Sequence, residues 1–386
     1  MRIMIVHAQH RELGGEDVAA TGEAHLLESN GHTVHVYGER NPSGVAALAS
    51  FGAAPWNPRQ ARRFERAFRT FAPDVVHIHN TWFALSQAVI RVANHSASAA
   101  TVMTLHNYRL LCADATLLRD NMVCRECVGG SPWPAIRHRC YRDSFAQSVV
   151  AASAIMVGRA TNVYGNVDRF IAPTDLVRRI HIDSGQIAAE RIETVPHFLA
   201  DPGPRVSAPS QSRSMVWAGR IAAGKGVESL LAAWEQSSVE GCELLIIGDG
   251  PLRPLLEATA PAHVKFLGFR PLEETRALIR EARAFLFVSE WLEPFGLVLL
   301  EAIAPGTPVI GFDTGDTRNI VGDGARLTPT GDIAALARTL GSIRDDELNA
   351  IGAQGRAHYL REFTPEIHIR ALESAYESAV NASRRR

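Results

Sequence analysis

Short apolar runs alternate with longer amphipathic stretches along most of the chain. Ile3 to His7, Thr33 to Tyr37, Val75 to His79 and Thr101 to Leu105 have the length and composition of strands, and Gly15 to Glu28 and Pro58 to Phe71 carry apolar residues at helical spacing. An apolar helix from about Phe145 to Asn162, the run Phe170 to Ala172, a helix with Thr174 as N-cap and the run Ile192 to Val195 extend the series. Strand and helix in strict alternation predict a parallel, doubly wound sheet.

From Pro196 to Ser214 the pattern breaks into a Pro- and Ser-rich stretch, and a second series follows. Its strands are expected at Met215 to Ala218, Leu244 to Ile247, Val264 to Leu267, Phe285 to Val288 and Pro308 to Gly311. Helices are expected from Gly226, Pro251 and Leu272 and after Phe295. The expected organisation is α/β, with a Rossmann-like domain over 1–198 that holds an insertion at 110–143, a linker over 199–213 and a second Rossmann-like domain over 214–362. A last segment, 363–386, ends in a basic tail. Ligands of such sheets bind beyond the carboxyl ends of the strands, so the chemistry is expected in a cleft where the two domains face each other.

Candidate residues cluster at those strand ends. In EPFGLVLLE, Glu293 and Glu301 follow the strand at Ala284 to Val288; Pro294 is expected at or just before the first helical turn, and Gly296 lets a group approach the backbone. On one regular helix eight residues would span about 12 Å, well beyond the roughly 5–5.5 Å of a retaining glycosidase pair. The two carboxylates therefore read as grips for hydroxyl groups. GRIAAGKG, Gly219 to Gly226, places Arg220 and Lys225 at the start of a helix, as a diphosphate leaving group requires, but Gly226 replaces the Ser or Thr of a Walker loop. Gly14, Gly15 and Glu16, then His106 and Asn107, then Gly248, Asp249 and Gly250 also follow strands.

Composition narrows the classes. Forty Lys and Arg against 41 Asp and Glu leave a net charge of −1, which argues against a nucleic-acid binder. The start has the form of a first strand rather than a signal peptide, and Ser144 to Gly158 is too short and interrupted to span a bilayer, so a cytoplasmic protein is expected. Four of the five cysteines, Cys112, Cys124, Cys127 and Cys140, are spaced C-x11-C-x2-C-x12-C. That spacing allows a structural four-thiolate zinc site, with His138 as a substitute ligand, or simply a set of free thiols.

GGED after the first strand, LHNYRLLC at Leu105, GRIAAGKG, IGDGPL at Ile247 and above all SEWLEPFGLVLLEAIAPGTPVIG from Ser289 resemble the retaining GT-B glycosyltransferases of family 4, the group 1 glycosyltransferases. The resemblance runs over nearly the whole chain. It implies a nucleotide-diphosphate sugar as donor and no cofactor or metal for catalysis. Arg220 and Lys225 would pair with the diphosphate, Glu301 with the ribose, and Glu293 with Phe295, Gly296 and Leu297 would hold the sugar and phosphate. Gly248 and Gly250 would line the nucleotide site, Gly15 would approach the donor phosphate, His106 would face the sugar, and Glu16 would stand nearer the acceptor. The 1–198 domain would be the acceptor domain, and the last helix, about Pro365 to Val380, would return to it. The sequence departs from the family at Asp316 and Asn319, in DTGDTRNIV, and at Pro196, His197 and Phe198 before the linker.

A saccharide or lipid-linked acceptor in cell-surface polysaccharide or glycolipid synthesis is expected. Competing readings are a GT-B sugar-nucleotide epimerase or hydrolase and a nonenzymatic nucleotide-sugar-binding partner. Arg59, Arg62, Arg63, Arg66 and Arg69 accompany Phe64, Phe68 and Phe71 on one helix. They read first as the solvated face of a packed helix and second as a peripheral contact with the inner membrane face.

Overall fold

A computed structural model describes residues 1–10, 14–95, 98–237, 239–261 and 263–385. The chain divides into two compact units, Met1–Leu117 with Cys124–His197 and Glu366–Arg386, and Leu118–Val123 with Phe198–Pro365. Of the basic tail, Arg386 lies outside the described residues.

The strands are β1 (Arg2–Gln9), β2 (Thr33–Arg40), β3 (Val75–Asn80), β4 (Ala100–Thr104), β5 (Leu118–Arg119), β6 (Met122–Val123), β7 (Arg169–Ala172), β8 (Ile192–Thr194), β9 (Ser214–Ala218), β10 (Glu243–Ile247), β11 (Val264–Gly268), β12 (Ala284–Phe287), β13 (Val309–Asp313) and β14 (Ala325–Pro329). The first unit holds a parallel sheet ordered β2-β1-β3-β4-β7-β8, the second one ordered β11-β10-β9-β12-β13-β14. Both faces of each sheet are covered, which is why the central strands are continuous apolar runs. In the second unit Met215, Leu244, Leu286 and Ile310 pack on one face and their neighbours Val216, Leu245, Phe285 and Val309 on the other.

Strand order reverses between β1 and β3 in the first sheet and between β9 and β12 in the second. At such a reversal the loops leaving the two strands diverge and open a crevice. GGED leaves β1, and His106 follows β4; GRIAAGKG leaves β9, and EPFG follows β12.

The helix Pro365–Ser383 belongs to the first unit, where Ile369, Leu372, Ala375 and Tyr376 are buried with Ile3, Ile5, Val75 and Val102. In the helix Pro58–Phe71, Phe64 and Phe68 are buried while Arg63 and Arg69 pair with Glu39 and Glu65. Several elements escape the sequence pattern, including the short helices Gly44–Gly52 and Ala88–Asn94 and the antiparallel hairpin β5–β6, which groups with the second unit although it interrupts the first. Among the described residues no helix is long and apolar enough to cross a membrane.

Candidate active site

In the second unit, GRIAAGKG is a tight loop closed by glycine. Gly226 has φ +73°, and a Cβ there would fall 1.8 Å from the carbonyl oxygen of Val288 at the end of β12. Only glycine lets the two loops touch. Lys225 Nζ consequently reaches Glu293 Oε1 at 2.8 Å and stands 5.0 Å from the centre of the Trp291 ring. Arg220 is exposed and makes no salt bridge among the described residues. Gly248, at φ +130°, abuts the backbone of Gly219 in the same way, so the β10 loop with Gly250 packs against the β9 loop. Leu118 of the hairpin lies over Gly224.

The expectation for Pro294 shifts by a few residues. The helix starts at Leu297 behind Gly296, whose φ of +79° and ψ of +70° make it a left-handed N-cap, and it runs for only seven residues to Ile303. Glu293 therefore lies in the loop, Phe295 is buried, and Glu301 sits on the helix with its side chain 9% exposed. Burial pushes the Glu301 carboxyl upward from its ordinary pKa, and Arg276, 3.1 Å away, holds it back. Arg276 lies outside every sequence motif, and Trp291 lies within SEWLEPFG without having been singled out there. The departures from the family pattern form a local turn: Asp316 is buried before the helix Thr317–Val321 and accepts from Asn319 at 3.3 Å.

In the first unit Asp17 organises the loop after β1. Its carboxylate accepts from the backbone of Gly14 at 2.8 Å and of His10 at 3.1 Å, and bonds His7 Nε2 at 2.8 Å. Gly15 is the exposed first residue of the helix Gly15–Ser29. Glu16 bonds His10 Nε2 at 3.1 Å and accepts from Asn107 Nδ2 at 2.5 Å, which joins it to the His106–Asn107 segment. Burial opposes ionisation of Glu16, but the His10 hydrogen bond, the nearby His106 and the Asn107 amide outweigh it and bring its pKa to about 2.

His106 is 9% exposed, bonds His79 at 2.9 Å and stacks on His197 with ring centres 5.1 Å apart. Burial lowers its pKa, against the pull of Glu16 and Glu23. A cavity beside it is lined by His79, Trp82, Asn107 and Arg109 among others. The guanidinium of Arg109 lies 4.5 Å from the centre of the Trp82 ring and donates to Ala113 O at 2.7 Å.

Behind His106 lies a buried group that sequence reading missed, Glu23, His77, His79 and His368. The signal was present: His77 and His79 alternate in VVHIHN and so share a face of β3. The ligand atoms of Glu23, His77 and His79 lie within 4.8 Å of one another. His77, however, bonds Tyr376 OH at 2.8 Å and Thr104 Oγ1 at 2.7 Å, so both ring nitrogens are committed to hydroxyls.

The four cysteines of the insertion all lie in the first unit. None of the four forms a disulfide, and no three of their sulfurs come within 4.8 Å of one another. Cys127 is buried, which raises its thiol pKa.

Residues 212–346 match the family model described as glycosyl transferases group 1, and residues 13–200 match glycosyltransferase family 4. The chain belongs to the group 1 glycosyltransferases. A 2-deoxystreptamine N-acetyl-D-glucosaminyltransferase of Streptomyces fradiae is 28% identical over 293 residues, 72% of this chain and 64% of that protein. A phosphatidyl-myo-inositol mannosyltransferase of Mycobacterium leprae is 29% identical over 222 residues, 55% and 59% of the two chains. The match thus spans less than two thirds of these relatives' own length. Among solved structures, sucrose-phosphate synthase from Thermosynechococcus elongatus superposes with a TM-score of 0.74 at 18% identity, covering 99% of each chain. Anabaena HepE in complex with UDP gives 0.64 at 18% identity over 97% of this chain and 99% of that one. These likenesses establish the GT-B fold for this group 1 glycosyltransferase.

Proposed function

We propose that the protein is a retaining, metal-independent glycosyltransferase that moves a sugar from a nucleotide-diphosphate donor to a hydroxyl acceptor in cell-surface polysaccharide or glycolipid synthesis. The observation that carries this reading is the 2.8 Å contact between Lys225 and Glu293, which pairs a cation suited to a diphosphate with a carboxylate suited to sugar hydroxyls. Arg220 and Lys225 stabilise the negative charge that grows on the leaving diphosphate, a preorganised contact of the kind that contributes about 3–4 kcal/mol to a barrier. Glu301 accepts from the ribose hydroxyls. Glu293 with the backbone of Phe295, Gly296 and Leu297 holds the sugar and phosphate, and Gly248 and Gly250 line the nucleotide. In the first unit Gly15 takes the donor phosphate, His106 a sugar hydroxyl, and Glu16 the acceptor.

Transfer proceeds by attack of the acceptor oxygen on the anomeric carbon from the face the diphosphate leaves. The bond from that carbon to the diphosphate oxygen breaks, the new glycosidic bond forms, and the acceptor proton passes to a donor phosphate oxygen. Support for a one-step path comes from Glu293, the carboxylate assigned to the sugar, being already engaged by Lys225. Incubation with radiolabelled UDP-, GDP- and ADP-sugars, with and without saccharide and lipid-linked acceptors and with EDTA, tests the reading. Acceptor-dependent transfer with an unchanged anomeric configuration and no effect of EDTA is expected. Donor conversion without acceptor would mark an epimerase or hydrolase, and binding without turnover a nonenzymatic partner.

A further inference from the structure

The buried histidines behind His106 form an ordered line of donors and acceptors. Glu23, on the helix Gly15–Ser29, is 2% exposed and is surrounded by His77 and His79 of β3 and His368 of the helix Pro365–Ser383. Its Oε2 lies 3.5 Å from His79 Nε2 and 3.6 Å from His77 Nδ1, and its Oε1 lies 3.5 Å from His368 Nε2. The remaining polar groups packed here are His7 with Asp17, Thr104, Tyr376 and the ring of His197.

Hydrogen-bond chemistry fixes where the protons lie. Glu23 Oε2 and His79 Nε2 are both enclosed and approach each other at 3.5 Å with no shorter hydrogen bond among the described residues, while His77 Nδ1, 3.6 Å from the same oxygen, is already bonded to Tyr376 OH. A ring lone pair turned toward a carboxylate is repulsive and an N–H is attractive, so His79 is protonated on Nε2. Burial holds the pKa of His79 well below its ordinary value, and the neutral ring then presents a lone pair at Nδ1. That lone pair accepts from His106 Nε2, 2.9 Å away.

We propose that Glu23 and His79 are positioning residues that hold His106 protonated on Nε2, which leaves Nδ1 of His106 as a hydrogen-bond acceptor for a hydroxyl of the transferred sugar. The identity of that hydroxyl rests on the glycosyl-transfer reading; the tautomer does not. It is the arrangement by which a carboxylate behind a histidine fixes which nitrogen faces its ligand.

The tautomers are read by long-range 1H–15N correlation on the full-length protein labelled with 15N-histidine, without donor or acceptor, with His106 and His79 assigned from the spectra of His106→Asn and His79→Asn. Both rings are expected neutral with the proton on Nε2. In Glu23→Met, with circular dichroism as the check on folding, His106 is expected to become a mixture of tautomers. Turnover of nucleotide sugar should fall about 10- to 100-fold, the range for an orienting partner, while affinity for the free nucleoside diphosphate holds. Glu23→Gln, whose amide oxygen can still accept, should recover part of the loss. A proton on Nδ1 of His106 in the wild type, or an unchanged tautomer in folded Glu23→Met, would overturn the proposal, as would stoichiometric metal lost with His79→Asn. If Glu23→Met does not fold, the wild-type spectrum still decides. A protein that transfers no sugar can still show the tautomer, so failure of the two readings is distinguishable.

Discussion

Lys225 Nζ and Glu293 Oε1, 2.8 Å apart, tie the loop after β9 to the loop after β12 at the point where the second sheet reverses its strand order. Both side chains are largely covered, at 27% and 18% exposure, so the pair is held in place before any ligand arrives. In the proposed reaction a diphosphate would meet an ordered cation, and a sugar an ordered carboxylate. Lys225→Ala is expected to lower turnover by about 100-fold or more and to leave the thermal midpoint nearly unchanged, because the side chain packs no core. Steady-state kinetics and a melting curve decide it, and unimpaired turnover would remove Lys225 from the diphosphate.

Glu301 gives a different readout. As the proposed ribose grip it would accept from hydroxyls of the nucleotide and touch nothing that reacts, so Glu301→Gln is expected to weaken binding of the free nucleoside diphosphate. A hydrogen bond to a charged group is worth about 1.5–3 kcal/mol, roughly 10- to 150-fold in affinity. The preference for ribose over 2′-deoxyribose should shrink with it. Calorimetric titration with both nucleotides measures the two effects, and equal losses for both would place Glu301 elsewhere.

Most strands of both sheets were legible, because a strand covered on both faces must be apolar throughout. Pattern at Leu244 to Ile247 or Phe285 to Val288 carries that requirement directly. The motif residues were legible for a related reason: they stand at strand ends. What surrounds them was not. Arg276 meets Glu301 from another helix, Trp291 lies beside Lys225 through a loop conformation, and Glu23 meets His79 across separate elements; no local periodicity records such meetings. Gly296 shows the finer limit, since its left-handed backbone delays the helix to Leu297, whereas Pro294 alone suggests an earlier start.

The glycines that close the two loops can be tested by adding one methyl group. At Gly226 the new Cβ would sit 1.8 Å from Val288 O in a backbone that disfavours side chains, and β12 cannot move aside without breaking its pairing with β13. Gly226→Ala is expected to destabilise the protein by about 2–4 kcal/mol and to lower nucleotide affinity, since Lys225 is the adjacent residue. Gly31→Ala is the control, because its φ of +82° is similar but nothing lies within 4 Å of its added methyl. It should cost only the backbone strain, about 1–2 kcal/mol, and leave nucleotide binding alone. Urea denaturation and nucleotide titration compare the two, and equal behaviour would remove the close loop contact as the cause.

Buried neutral histidines set the acid limit of the fold. Burial brings His77 and His181 to about 4 and His197 to about 3, against an ordinary 6.5. Below pH 6.5 the unfolded chain takes up protons that the folded one refuses, so the stabilisation is whole above 6.5 and is lost as pH falls toward 4 and 3. Each such histidine contributes a slope of about 1.4 kcal/mol per pH unit. Glu16 acts in a lower window: its folded pKa of about 2 lies below the ordinary 4.5, so its contribution is lost only beneath 4.5. Between pH 6 and 4.5 the histidines can thus be weighed separately from Glu16. His181 suits the test because it is given no role in the proposed reaction; it bonds Val177 O at 2.8 Å and stacks on Tyr108. The difference in unfolding free energy between wild type and His181→Gln is expected to change by about 1.4 kcal/mol per pH unit across that window, with the variant less sensitive to acid. Parallel stability curves would mean that folding does not lower the pKa of His181.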